Sequence, residues 1–148
     1  MKKIQVIRTD RIRFLLSEIE QSIGLIQENF PQTGNYDDFI NLGLLKDGLY
    51  KRLEYVLQCI FDICAIINRD LKLGIPQNDD DIIGNLVRSG IINPETGELL
   101  KDMKGLRNIL VHQYGRINDL IVYDIFMTKM DDISSVVSQL ENTLNSHK

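Results

Sequence analysis

Hydrophobic residues recur every three or four positions along most of the chain, which is the spacing of one face of an α-helix. The first segment of this kind predicts a helix that Thr9 or Asp10 caps and that ends before Pro31 and Gly34. Its apolar stripe consists of Ile12, Leu15, Leu16, Ile19, Ile23 and Ile26. The first predicted element is therefore an amphipathic helix whose apolar face needs a partner.

A longer stripe of the same period predicts a second long helix over residues 44–73, after a short helical turn at 36–41. Gly74 and Pro76 follow this helix and would stop it. The positions of the stripe are Leu45, Leu49, Leu53, Val56, Leu57, Ile60, Cys64 and Ile67.

Asn78 predicts the cap of a short third helix, which ends at Ser89 and Gly90. The aspartates at 79–81 form its first turn, where negative charge suits the positive end of the helix dipole. We interpret these acids as capping residues, because a metal site would need more converging ligands.

Asn93 and Pro94 predict the start of a fourth helix that reaches about Tyr114, with Gly115 at its C-terminal cap. A last helix over 119–144 carries a packing seam of Phe126, Met130, Ile133, Val137, Leu140 and Leu144. No segment has the pattern of a strand, a repeat or a glycine-rich phosphate loop. The sequence therefore predicts an all-α protein, an antiparallel bundle of about five helices in one domain spanning 1–148.

The composition, 43% hydrophobic and 26% charged over 148 residues, is typical of a soluble globular protein. No apolar run approaches the roughly 20 residues that cross a bilayer, and no secretory signal is evident, so we expect a cytoplasmic protein without membrane contact. Cys59 and Cys64 are expected to be reduced core residues, and no metal or cofactor is predicted. The net charge of −4 argues against a general nucleic-acid coat protein, but it allows local binding of one or two phosphates or docking onto a basic partner.

The candidate chemistry lies near the end of the fourth helix, where Arg107, Asn108, His112 and Tyr114 fall within one short stretch. Arginine binds phosphate and histidine titrates near neutral pH, so the combination suggests chemistry on a phosphodiester. On a helical wheel Arg107 borders the core face, which holds Leu99, Met103, Leu106, Leu110 and Tyr114. A polar strip beside it holds Lys101, Lys104, Asn108 and His112, with Gly105 near its end.

Purely structural roles remain open for each of these residues. Arg107 could pair with a core-facing acid, for which Asp62 is a candidate. His112 could simply interact with the negative end of the helix dipole, and Tyr114 could be an ordinary core aromatic. The two lysines of the strip could be solvated surface residues.

R-x-x-x-x-H with a polar residue directly after the arginine resembles the signature of the HEPN superfamily of helical ribonucleases. Here the pattern is formed by Arg107, Asn108 and His112, and Tyr114 completes the longer form R-x-x-x-x-H-x-Y, which resembles the HepT-like toxins. The similarity extends more weakly over most of the chain, including Arg52-Leu53-Glu54 and Gly90-Ile91-Ile92.

The resemblance implies a metal-independent endoribonuclease of a toxin–antitoxin pair, with Arg107, His112 and Asn108 as catalytic residues. It also implies a homodimer whose two motifs face each other, and a minimal nucleotidyltransferase antitoxin that silences the toxin by transferring AMP to Tyr114. The dimer could assemble further with the antitoxin. Lys101 and Lys104 would guide the phosphates of the RNA substrate.

Acid–base chemistry gives an independent reason for the dimer. RNA cleavage by the 2′-hydroxyl needs a base for that hydroxyl and an acid for the leaving oxygen, and a two-fold dimer supplies two copies of His112. Arg107 would hold the phosphate, and Asn108 would orient His112 or bind the phosphate. Two alternatives stay open: a non-catalytic helical subunit that docks a nucleotidyltransferase, and a dimeric scaffold in which Arg107 and Asp62 form a structural pair.

Overall fold

The structure, a computed structural model, describes residue 7 and residues 9–112 and 115–146. This part of the chain is all-α, as the sequence predicts, and contains no strand. Its helices are α1 (Thr9–Asn29), α2 (Tyr36–Ile40), α3 (Leu44–Asp70), α4 (Asp79–Arg88), α5 (Pro94–His112), α6 (Asp119–Thr128) and α7 (Met130–Ser146).

Helix α3 forms the centre of the bundle and packs against α1, α4, α5 and α7. Its buried positions are spaced by one, three and four residues, so they cover more than one face of the helix. Fully buried side chains on α3 include Leu53, Val56, Leu57, Ile60, Ile63, Cys64 and Ile67. Helices α1, α4, α5 and α7 surround this central helix, whereas α2 and α6 pack against each other.

The last predicted helix is in fact two helices, α6 and α7, which are separated at Lys129. The Thr128 hydroxyl donates a hydrogen bond of 2.8 Å to the Asp124 carbonyl, a local bond that competes with helical pairing. The break allows the two helices to pack on different partners, because α6 contacts α2 whereas α7 contacts α1, α3 and α5. The hydrophobic residues assigned to one long helix therefore belong to two helices that pack against different parts of the bundle.

Most helix ends agree with their sequence signals. The Asn78 side chain accepts the Asp81 backbone N–H at 2.9 Å, which is the predicted cap of α4. Gly115 has a φ of +90°, as expected for a glycine that follows a helix. The expected extension of α5 to Tyr114 lies outside the described residues.

The two cysteines lie in the helical core and do not form a disulfide. Cys59 and Cys64 are buried and free, as predicted. Burial raises the pKa of the Cys64 thiol to about 12, which keeps it protonated and unreactive. No helix in the described ranges combines the length and the hydrophobicity that crossing a membrane requires.

Candidate active site

Helices α4 and α5 cross closely, and this crossing places the acidic start of α4 beside the second half of α5. A Cβ atom on Gly97 of α5 would lie only 2.8 Å from Cγ2 of Val87 on α4. Because the two helices run in opposite directions here, the first turn of α4 reaches Lys104 and Arg107. The absence of a side chain at Gly97 is therefore part of what builds the site.

Three helices hold the Arg107 guanidinium. Its Nη2 donates to Asp79 Oδ2 on α4 at 2.6 Å and to Asn108 Oδ1 on α5 at 3.2 Å. Its Cζ lies 4.7 Å from the centroid of the Phe61 ring on α3, a cation–π contact. The side chain is only 13% exposed, which agrees with the predicted position at the border of the core face.

The expected alternative of an Arg107–Asp62 pair is wrong. Asp62 accepts a hydrogen bond of 2.9 Å from Gln58, one turn earlier on α3, whereas Arg107 is paired with Asp79. The guanidinium contacts Phe61, and the next residue on a helix points about 100° away, so Asp62 faces another direction. The sequence did identify the aspartates of α4, but only as capping residues.

The two lysines of the polar strip are also paired with acids. Lys104 Nζ lies 2.7 Å from Asp80 Oδ1 on α4, and its side chain is 28% exposed. Lys101 Nζ lies 3.4 Å from Glu98 Oε1 on its own helix, and its side chain is 52% exposed. Ion pairs this exposed are weak, so a phosphate could displace either carboxylate at small cost.

His112 is exposed and is the last residue of α5. No other described residue hydrogen-bonds to its imidazole. Arg107 and His112 are five positions apart, so they point in directions that differ by about 140°. One chain therefore presents the arginine against α3 and α4 and the imidazole to solvent, and does not join them in a closed pocket.

The segment that follows the motif is tied to α3. Asp119, at the start of α6, accepts hydrogen bonds from Lys46 Nζ at 2.9 Å and from the Tyr50 hydroxyl at 2.5 Å. Burial alone would raise the pKa of Asp119, but the hydrogen bonds from Tyr50 and Lys46 outweigh it and lower that pKa. Sequence reasoning missed this anchor, since Asp119 looks like any acid in a first helical turn.

Tyr114, the expected AMP acceptor, lies outside the described residues. Within 9–112 and 115–146, no three His, Cys, Asp or Glu side chains converge in a way that could hold a metal ion.

Known proteins are similar to this chain over most of its length. A family model described as ribonuclease HepT-like matches residues 19–140. The mRNA nuclease HepT of Shewanella oneidensis is 29% identical over 126 residues, which cover 85% of this chain and 92% of that protein.

Solved structures of other proteins have a similar fold. The tri-AMPylated HEPN toxin of Shewanella oneidensis in complex with MNT antitoxin superposes with a TM-score of 0.79 at 29% identity, over 90% of this chain and 98% of that one. A cytosolic protein of unknown function from Bacillus subtilis, YutE, has a TM-score of 0.77 at 19% identity, over 97% of this chain and 94% of its own. The latter likeness concerns the fold alone.

Proposed function

Because the chain belongs to the ribonuclease HepT-like family, we propose that it is an endoribonuclease toxin that cleaves RNA without a metal ion. The observation that carries this proposal is the arrangement on α5. A guanidinium is fixed by three helices, and an imidazole is exposed at the end of the same helix. Phosphate binding and proton transfer are the two tasks that RNA cleavage requires.

The reaction starts at the 2′-hydroxyl of the RNA. Its oxygen attacks the adjacent phosphorus, one imidazole accepts its proton, and a P–O bond forms. The bond from phosphorus to the 5′-oxygen then breaks, and an imidazolium donates a proton to that oxygen. The products are a 2′,3′-cyclic phosphate and a 5′-hydroxyl, and Arg107 stabilises the added negative charge on the phosphate.

Two copies of the chain supply the two imidazoles. Each chain has one His112, so a site that uses a separate base and acid needs a second copy, and a two-fold interface at the end of α5 provides it. Exposed apolar side chains just before and after the motif support such an interface. Val111 on α5 is 45% exposed, and Leu120 and Ile121 on α6 are at least half exposed.

A nucleotidyltransferase antitoxin silences the enzyme in this proposal. The Tyr114 phenol attacks the α-phosphorus of ATP, loses its proton, and carries AMP while pyrophosphate leaves. The adduct places negative charge close to the motif, where it repels RNA. The tri-AMPylated state of the Shewanella toxin supports this route. A Tyr114→Phe variant should stay toxic in the presence of the antitoxin, and silencing of that variant with an AMP adduct elsewhere would reject the assignment.

The cleavage test compares wild type with Arg107→Ala and His112→Ala, with a chelator present throughout. Arg13→Ala and His147→Ala are matched controls that remove an exposed arginine of α1 and the chain's other histidine. Wild type and controls should arrest growth and release cyclic-phosphate ends, and the two motif variants should do neither. Equal cleavage by all folded variants would contradict the proposal, and an inert wild type would favour a non-catalytic subunit that docks a nucleotidyltransferase.

A further inference from the structure

The first turn of α4 contributes to the motif even though it is distant in sequence. We propose that Asp79 is a positioning residue, which holds Arg107 in the orientation that receives the phosphate of the RNA. This inference rests on the proposed function. It adds a residue outside the R-x-x-x-x-H-x-Y pattern, 28 positions before Arg107.

The geometry of the ion pair leaves the arginine able to bind a ligand. Asp79 contacts the guanidinium through one oxygen and one nitrogen, Nη2, and Asn108 uses the same nitrogen. Among the described residues, none hydrogen-bonds to Nε or Nη1 of Arg107. A two-point carboxylate contact would have occupied a whole edge of the guanidinium, whereas this one leaves three N–H groups for a phosphate.

Phe61 and Asp79 restrict different motions of the guanidinium. The Phe61 ring, with its centroid 4.7 Å from Cζ, limits movement of the guanidinium toward α3. The carboxylate restricts its rotation, because it binds one nitrogen only. A phosphate that arrives meets an arginine whose position is already fixed, which lowers the entropy cost of reaching the transition state.

The charge of Asp79 has an opposite effect on binding. A carboxylate within hydrogen-bond distance of the guanidinium reduces its attraction for an RNA phosphate in the ground state. Asp79→Asn should therefore leave KM unchanged or lower it. It should reduce kcat by roughly 10- to 100-fold, because the arginine is no longer oriented. A purely structural role would instead reduce the folded fraction and leave both constants of the folded enzyme unchanged.

Asp81→Asn is the matched control. It removes the same charge from the same helical turn, and Asp81 accepts a backbone N–H of Gln77 rather than a group of the motif. Its kcat and KM should match those of wild type at temperatures where both are folded. Asp79→Glu, which keeps the carboxylate, should recover part of the lost kcat.

Nuclear magnetic resonance of the Arg107 side chain tests the positioning without cleavage. The two Nη groups should give separate nitrogen resonances in wild type and Asp81→Asn, because the ion pair restricts rotation, and should merge in Asp79→Asn. Addition of 2′-O-methyl RNA, which lacks the attacking hydroxyl, should shift these resonances in wild type.

The two readouts separate the proposals. If wild type does not cleave RNA, the proposed function fails, and the resonances still decide whether Asp79 holds Arg107 for an RNA phosphate. If the Nη resonances stay separate in Asp79→Asn, or do not respond to RNA in wild type, the positioning inference is rejected. It is also rejected if cleavage by Asp79→Asn has the same kcat as cleavage by Asp81→Asn.

Discussion

The crossing of α4 and α5 can be tested with two glycines on the same helix. Gly97 and Gly105 both lie inside α5, so replacement by alanine should favour the helix by about 1 kcal/mol at each position. Their surroundings differ. A Cβ on Gly97 would meet Val87 Cγ2 at 2.8 Å, whereas a Cβ on Gly105 would have nothing within 4 Å.

The expected free energies of unfolding follow from this difference. Gly105→Ala should stabilise the protein by about 1 kcal/mol, which corresponds to a rise in Tm of about 3 °C for a chain of this size. Gly97→Ala gains the same helical preference but forces the two helices apart, and overpacking of a core contact costs about 1–3 kcal/mol. We therefore expect Gly97→Ala to be less stable than Gly105→Ala by roughly 2 kcal/mol.

Urea unfolding followed by circular dichroism measures both values, with Val87→Ala as the partner mutation. Removing the Val87 methyl groups should relieve the contact. The double variant Gly97→Ala, Val87→Ala should therefore lose less unfolding free energy than the sum of the losses in the two single variants. If Gly97→Ala is as stable as Gly105→Ala, or if the double variant is simply additive, the close crossing does not exist as described.

Three further predictions concern the site and its surroundings. If each cleavage centre uses two imidazoles, mixing wild type with an equal amount of His112→Ala under subunit exchange should reduce cleavage to about half, and unchanged activity would indicate independent sites. Asp119→Asn should cost about 1–2 kcal/mol at neutral pH. Because the folded-state pKa of Asp119 is lowered, this contribution is present above the ordinary aspartate pKa and lost as the pH falls through the folded value, so chemical denaturation should show wild type and variant converging in acid. Raising the salt concentration should increase KM for RNA more than it changes kcat, and a salt-independent KM would argue against phosphate contacts.

Local sequence signals predicted most of the fold because its helices are amphipathic and well capped. Asn78 marks a helix start in the sequence and caps α4 in the structure, and Gly115 has the positive φ expected of a glycine that follows a helix. The break at Lys129 was missed because the hydrophobic spacing continues across it, although α6 and α7 pack on different partners.

The site was less predictable because its contacts join distant parts of the chain. The wheel placed Arg107 correctly at the edge of the core, but it could not tell which acid would meet it. Asp62 was a reasonable candidate on the long helix, yet the partner is Asp79. The sequence pattern assigns Asp79 only to the first turn of α4. A residue with a clear role in its own helix can therefore have a second role, in a tertiary contact, that the sequence pattern does not indicate.

The ion pair between α4 and α5 also has a consequence for the evolution of this family. Arg107 is mostly covered and lies against an aromatic ring, so losing its carboxylate partner would leave a charge poorly solvated. Relatives that retain the arginine should therefore keep an acid at the position of Asp79. In degenerate copies that have lost the arginine, this acid should drift to neutral residues.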